Sequence, residues 1–175
     1  MKKPDVNIAL TLPYIGKVEG EWHIKEEERK AAWEMYVELV TRISVVKLYP
    51  EEGSLREALN SLYSLFDITR DILKRYGPII AQPQNNNDDI SFGYIAVAVL
   101  NTVIRPLLAK WHPLLKDYEM KKKDDVSSIE HEKQWERYQE LRDEIEKTRK
   151  ILEDYSMQLA KIANVQSLII HTEEK

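Results

Sequence analysis

Arg105 and His112 lie seven residues apart in the 175-residue chain, and their side chains could catalyse a reaction together. A histidine can transfer protons near neutral pH, and a guanidinium can stabilise the negative charge that develops on a phosphate. A separation of seven residues is two helical turns, so both side chains are expected on one face of a helix. The pair therefore makes metal-independent cleavage of a phosphodiester one candidate activity.

An arginine followed by six residues and a histidine resembles the loose signature of HEPN-type ribonucleases. The resemblance implies an all-helical bundle that forms a homodimer, brings two arginines and two histidines together and cleaves RNA. It also makes Arg105 and His112 the catalytic residues. The sequence departs from the family pattern at Pro106, because the family carries a polar residue directly after the arginine.

A structural interpretation of Arg105 stands beside the catalytic one. The stretch 95–108 around it is the most apolar part of the chain. A buried guanidinium is unfavourable unless a carboxylate pairs with it. Glu38, Glu57 and Asp67 on other predicted helices are candidate partners, so a buried ion pair that fixes the helix register is expected.

Further polar candidates lie one helical turn apart and predict ion pairs. These pairs are Glu38 with Arg42, Asp67 with Arg70, and Asp71 with Arg75. A pocket for an anionic small ligand is a third alternative, between the second and third predicted helices and lined by Tyr63, Asn101 and Arg105.

The four tryptophans are expected to hold the fold together. Trp33, Trp111 and Trp135 are predicted in the core, with Trp111 also a candidate at a ligand site, and Trp22 is predicted to hold the N-terminal segment. A tryptophan left exposed would instead indicate a binding site.

Composition argues against several classes of site and partner. The chain has no cysteine, five scattered glycines, no Glu-x-x-His and no glycine-rich phosphate loop, so neither a metal nor a cofactor is expected. The net charge of −4 makes nucleic acid an unexpected partner, except as a ribonuclease substrate. The apolar stretch at 95–108 is shorter than the roughly 20 residues of a membrane span, and the N-terminus lacks a signal-peptide pattern. A cytoplasmic protein without membrane contact is expected.

Helical periodicity predicts an all-α fold, an antiparallel four-helix bundle. Ser54 and Gly77 predict the ends of the second helix, and Ser127 with Glu130 predicts a capping box at the start of the fourth. The helices are expected at about 25–47, 54–76, 91–116 and, as one continuous helix of roughly 35 residues, after Ser127. We expect an extended arm over 1–20, the bundle over 21–165 and a tail over 166–175.

Three motifs together resemble a family of small bacterial helical proteins with no established activity. They read AAWExYVELVTR at 31–42, REALxSLY at 56–63 and FGxxAVAVLNxxxRPxLxxWHP at 92–113. The resemblance covers most of residues 20–165, and it implies a bacterial protein of a kind found around conflict and anti-phage loci.

The absence of a recognised catalytic set and the long apolar seam of the fourth helix favour a non-catalytic interaction or oligomerising subunit. A protein partner or a second copy of the chain is the expected ligand. The alternatives that stay open are the HEPN-like ribonuclease and the anionic-ligand bundle.

Overall fold

The computed structural model describes residues 5–42, 49, 52–82 and 90–169, and these residues form a mostly helical fold with a small two-stranded sheet at the N-terminus. The mostly helical class is as the periodicity predicts. The elements are β1 (Val6–Leu12), β2 (Gly16–Trp22), α1 (Glu26–Val40), α2 (Leu55–Tyr76), α3 (Phe92–Val99), α4 (Arg105–Glu119), α5 (Ser128–Lys133) and α6 (Tyr138–Ala163). A short 3₁₀ segment (Gly77–Ala81) follows α2, and a π-helical segment (Leu100–Ile104) joins α3 to α4.

The expected extended arm is a β-hairpin. β1 and β2 pair antiparallel across a three-residue turn that closes at Gly16, where φ is +88°. Ile8, Leu10 and Leu12 alternate inward along β1 and are buried. The backbone N–H of Ala9 donates to Oε1 of Gln158 at 3.3 Å, so the hairpin is fixed to α6.

Helix α1 does not bury Trp33, which is predicted in the core. Trp33 is 41% exposed, whereas Tyr36 is buried. The small side chains of Ala31 and Ala32, with Met35, Tyr36 and Leu39, form the buried face. The predicted end of this helix, at about residue 47, lies outside the described residues.

Helix α2 begins and ends where the sequence predicts. Ser54 Oγ accepts from the N–H of Glu57 at 3.5 Å, and Gly77 takes a positive φ of 68° at the other end. Leu55, Leu59, Leu62 and Leu65 follow at helical steps on the buried side. Residues 83–89, a stretch rich in Asn and Asp, lie outside the described residues.

The apolar third helix is continuous from Phe92 to Glu119 across the π-helical segment. Ser91 Oγ caps it by accepting from the N–H of Tyr94 at 3.2 Å. The N–H of Arg105 donates five residues back, to Leu100. A proline ring clashes with the carbonyl four residues before it in a regular α-helix, and the wider π turn accommodates Pro106 within the continuous helix. Pro113 lies inside α4 and does not end it.

The predicted fourth helix is two helices. Ser127 and Glu130 form the predicted capping box, but it starts the six-residue α5. The chain then turns over 134–137 before α6. Trp135 is buried in that turn, with its ring 6.0 Å from Trp111 and 5.4 Å from Tyr118. The packing of Trp135 thus interrupts a stretch that the local sequence predicts to be one continuous helix. The seam predicted from Tyr138 onward is confirmed for seven of its eight residues: Leu141, Ile145, Thr148, Leu152, Tyr155, Leu159 and Ile162 are buried, and Tyr138 is half-buried.

A buried carboxylate from α5 holds the N-terminus of α2. Glu132 is only 5% exposed. Its Oε1 accepts from Ser54 Oγ at 3.0 Å and from the N–H of Arg56 at 3.2 Å, and its Oε2 accepts from the N–H of Leu55 at 2.9 Å. These amides have no partner within the helix, and the helix dipole favours a negative charge there. Glu132 therefore caps α2 from a distant part of the chain, whereas Glu57 in the first turn of the helix is exposed.

A second buried carboxylate, Glu28, joins the starts of α1 and α3. Its Oε2 accepts from the N–H of Lys25 at 3.1 Å, and its Oε1 accepts from the N–H of Phe92 at 3.3 Å. Burial raises the pKa of Glu28, and the two amides and the Lys25 charge act against that rise. Gly93 keeps this corner tight, because a Cβ there would lie 2.8 Å from the Cβ of Ala81.

By length and composition, the 28-residue helix 92–119 is long and apolar enough to span a membrane. The sequence predicts no membrane span, because the apolar stretch 95–108 alone is too short. Its most apolar window has a mean hydropathy of 1.6, and 61% of that window is buried inside the protein. A buried core helix meets the same criteria. The part of this helix that is not buried carries both apolar residues, such as Tyr94 and Val97, and the polar residues Asn101 and Arg105.

Replacing Glu132 with alanine should destabilise the fold by about 2–3 kcal/mol, because the helix amides at Leu55 and Arg56 lose their acceptor. The matched control is Glu136→Ala, an exposed glutamate four residues on, which should change stability by less than about 0.5 kcal/mol. Urea unfolding of both variants gives the comparison. Equal losses for the two variants would contradict the capping role of Glu132.

Candidate functional site

Arg105 is exposed, which corrects the expectation of a buried ion pair. Its Nε donates to Oδ1 of Asn101 at 3.0 Å, and its guanidinium carbon lies 5.2 Å from the centre of the Phe66 ring. Glu38, Glu57 and Asp67 are not among these contacts. The sequence window is apolar because the opposite side of the helix is core, and Arg105 lies on the outer side.

Arg105 lies at one end of an exposed strip that we call the Arg105 face, formed by Tyr63, Tyr94, Val97, Asn101 and Arg105. Tyr94, Val97, Asn101 and Arg105 follow one another at three- and four-residue steps, so they line one side of the helix. Tyr63 is 57% exposed on α2, with its ring 6.2 Å from Phe66. The face is thus mostly apolar and carries one positive charge.

His112 belongs to a polar cluster with two residues that the sequence analysis did not single out. Arg56 Nη1 donates to Nδ1 of His112 at 2.8 Å, and the Arg56 guanidinium also binds both carboxylate oxygens of Glu119, at 2.9 and 2.8 Å. A guanidinium can only donate, so the neutral imidazole carries its proton on Nε2. That Nε2 is buried and has no hydrogen-bond partner among the described residues.

The electrostatics of the cluster keep His112 neutral. Burial lowers the pKa of His112 below its ordinary value of 6.5, and the Arg56 charge lowers it further, while Glu119 acts in the opposite direction. The folded state therefore favours the uncharged ring at neutral pH.

Arg105 and His112 lie on the same side of the molecule, as their spacing predicts, but they contact different partners. Arg105 contacts Asn101 and Phe66, whereas His112 contacts Arg56 and, edge to face at 5.9 Å, the ring of Tyr63. The Tyr63 and Phe66 rings lie between the two predicted catalytic side chains.

Most of the remaining candidate residues make contacts that stabilise the fold. Arg42 binds Glu38 at 2.8 Å, as predicted, and also Ser64 Oγ at 2.6 Å on α2. Arg70 pairs with Asp67 on the surface, also as predicted.

Trp111 is buried, with Lys110 and Arg137 each 4.4 Å from its ring centre. Both cations also bind Glu140. Trp111 is therefore part of the packing between α4 and the start of α6 rather than of an open site.

An open groove between α1 and α2 is the larger of the two cavities described. We call it the Trp33 groove, and its volume is about 370 Å³. The smaller cavity, of about 10 Å³, is internal and lies beside Tyr155. The pocket expected from Tyr63, Asn101 and Arg105 coincides with neither cavity. The residues that line the Trp33 groove are Trp33, Glu34, Val37, Glu38, Ile68, Asp71, Ile72 and Arg75.

The ion pairs around the groove differ from those that the sequence predicts. Arg75 pairs across the groove with Glu34 on α1, not with Asp71 one turn away on its own helix. Glu34 also accepts from the hydroxyl of Tyr76, and burial together with that bond raises the pKa of Tyr76 to about 12. Asp71 is exposed, and none of the described hydrogen bonds or ion pairs uses it.

Sequence reasoning missed Arg56, Glu119 and the groove for one physical reason. Arg56 and Glu119 are 63 residues apart, and no local spacing signals a contact over that distance. The exposure of Trp33 could have been predicted, because the neighbouring Ala31 and Ala32 are small enough to form the closely packed face of α1 in its place.

Within the residues that the structure describes, no group of three or more His, Asp or Glu side chains is placed to hold a metal ion. Compared with known proteins, the chain matches no family model, no curated protein and no solved structure. What the protein does is therefore proposed below from contacts, burial and charge.

Removing the Arg56 charge should raise the pKa of His112 towards its ordinary value. Arg56→Met takes away the cation that opposes protonation and leaves Glu119, which favours it. The matched control is Arg105→Met, which removes an arginine from the same side without touching His112. Titration of the His112 ring protons by NMR measures both; a pKa unchanged in Arg56→Met would show that Arg56 does not control His112.

Proposed function

We propose that the protein is a non-catalytic helical interaction subunit that binds a protein partner, or a second copy of itself, through the Arg105 face. The observation that carries the proposal is the fixed guanidinium at the end of an exposed apolar strip. Arginine and aromatic residues surrounded by apolar contacts are the residue types that dominate binding energy at protein interfaces.

The geometry supports binding by limiting the entropy lost. Asn101 holds Arg105 through its Nε, and Phe66 lies under the guanidinium, so the side chain is already ordered before a partner arrives. The outward guanidinium nitrogens suit a carboxylate on the partner. Tyr63, Tyr94 and Val97 supply exposed apolar surface along the rest of the face.

The scaffold that we propose is an antiparallel four-helix arrangement of α1, α2, the continuous α3–α4 helix and α6. Contacts between α1 and α6, α1 and α2, and α2 and α4 support it. We further propose a bacterial, cytoplasmic setting and an accessory role in a conflict or anti-phage system, which rest on composition and on the resemblance of the three motifs.

Reversing the charge of Arg105 should weaken partner binding or self-association at least about tenfold, because it places a carboxylate where the partner presents one. Val97→Asp should act similarly through the apolar part of the face. The matched control is Lys150→Glu, the same charge change on the exposed side of α6. Sedimentation velocity over a range of concentrations measures self-association, and affinity capture from the native host detects a protein partner. A protein that stays monomeric and captures nothing would refute the proposal.

A HEPN-like ribonuclease is the second candidate, favoured by one observation. Arg105 contacts the Phe66 ring and His112 contacts the neighbouring Tyr63 ring, so a dimer through this side would bring two of each together. The buried Nε2 of His112 weighs against it, because a substrate needs access to that atom.

If the ribonuclease candidate is correct, the wild-type protein cleaves RNA without added metal, and His112→Ala abolishes cleavage by removing the proton-transfer group. His23→Ala, at an exposed histidine of the hairpin end, is the matched control and should leave cleavage intact. Circular dichroism checks that both variants are folded. An inactive wild-type protein, or an active His112→Ala variant, would eliminate this candidate.

A further inference from the structure

The Trp33 groove has the size of a binding site for one side chain with its neighbours. Ligand sites in proteins are concave, mostly apolar and of about 300–1,000 Å³. The groove has a volume of about 370 Å³ and an apolar lining of four side chains, Trp33, Val37, Ile68 and Ile72. It shares no residue with the Arg105 face.

Trp33 is the exposed tryptophan of the chain, and it lines this groove. Trp22, Trp111 and Trp135 are buried, whereas Trp33 is 41% exposed. The face of an exposed indole attracts cations, with a gain of about 0.5–1 kcal/mol. The groove thus offers an aromatic surface suited to a positive group.

The charges of the groove also select a positive group. Three carboxylates, Glu34, Glu38 and Asp71, line it against one guanidinium, Arg75. Arg75 is already bound to Glu34, and Glu38 is bound to Arg42. Asp71 lines the groove and takes part in none of the described hydrogen bonds or ion pairs, because its predicted partner Arg75 binds Glu34 instead.

We propose that the Trp33 groove binds a lysine or arginine side chain of a partner polypeptide, with the cation at Asp71 and the methylene stem against Trp33. The apolar lining is larger than the stem of one basic residue covers, so apolar neighbours in the same polypeptide complete the contact. A free diamine would leave that lining exposed to water. The inference does not depend on the Arg105 face.

The test follows the indole resonance of Trp33 by ¹H–¹⁵N NMR in the full chain, assigned by its loss in Trp33→Phe. The probes are acetyl-Leu-Arg-Leu-amide, the same peptide with citrulline in place of arginine, and 1,4-diaminobutane. We expect the arginine peptide to shift the Trp33 signal saturably. The citrulline peptide, equal in shape but neutral, should bind about tenfold more weakly, and the diamine should also bind more weakly.

Two variants test the position of the cation. Asp71→Asn should weaken binding of the arginine peptide about threefold, whereas the matched control Asp117→Asn, an exposed aspartate on α4, should leave it unchanged.

Four outcomes would overturn the proposal. These are equal binding of the arginine and citrulline peptides, equal effects of the two asparagine variants, diamine binding as tight as that of the arginine peptide, or a Trp33 that acrylamide does not quench in the free protein. The last outcome would show that the chain's own residues fill the groove.

Discussion

The position of α2 depends on the carboxylate of Glu132. A helix begins with amides that have no partner of their own, and here a buried side chain from α5, 76 to 78 residues further along the chain, supplies the acceptors. Tyr118 stacks on His131 at 4.1 Å and thereby fixes α5 to the end of α4. The start of α2 is thus tied to the corner between α4 and α5. Glu28 makes an equivalent connection between the starts of α1 and α3.

Both proposed binding surfaces share α2 as a wall. Tyr63 and Phe66 lie on its side towards α4, and Ile68 and Asp71 lie on its side towards α1. The first surface presents a cation and the second presents carboxylates. Because α2 contributes residues to both, a shift of its N-terminus at Glu132 would move Tyr63 in the first surface together with Ile68 and Asp71 in the second.

The sequence correctly predicted those features of the fold that neighbouring residues determine. The ends of α2 and the seam of α6 follow from caps and periodicity, and the structure confirms them. The β-hairpin was missed although apolar residues alternate along β1, because a short hairpin is stable only when docked. The break at 134–137 and the exposure of Arg105 depend on which side of a helix meets the core, and that is decided by distant packing. For the candidate site, spacing placed Arg105 and His112 on one side, but nothing local pointed to Arg56.

The π-helical segment Leu100–Ile104 is equivalent to a single-residue insertion in a regular helix. Each residue of an α-helix turns the chain by about 100°. A π turn takes one more residue than an α turn, so if the same five residues formed regular α turns, everything before the segment would rotate by about that angle relative to everything after it. The segment therefore sets the phase between the two halves of the helix, and its length is as much a determinant of the exposed surface as any side chain on it.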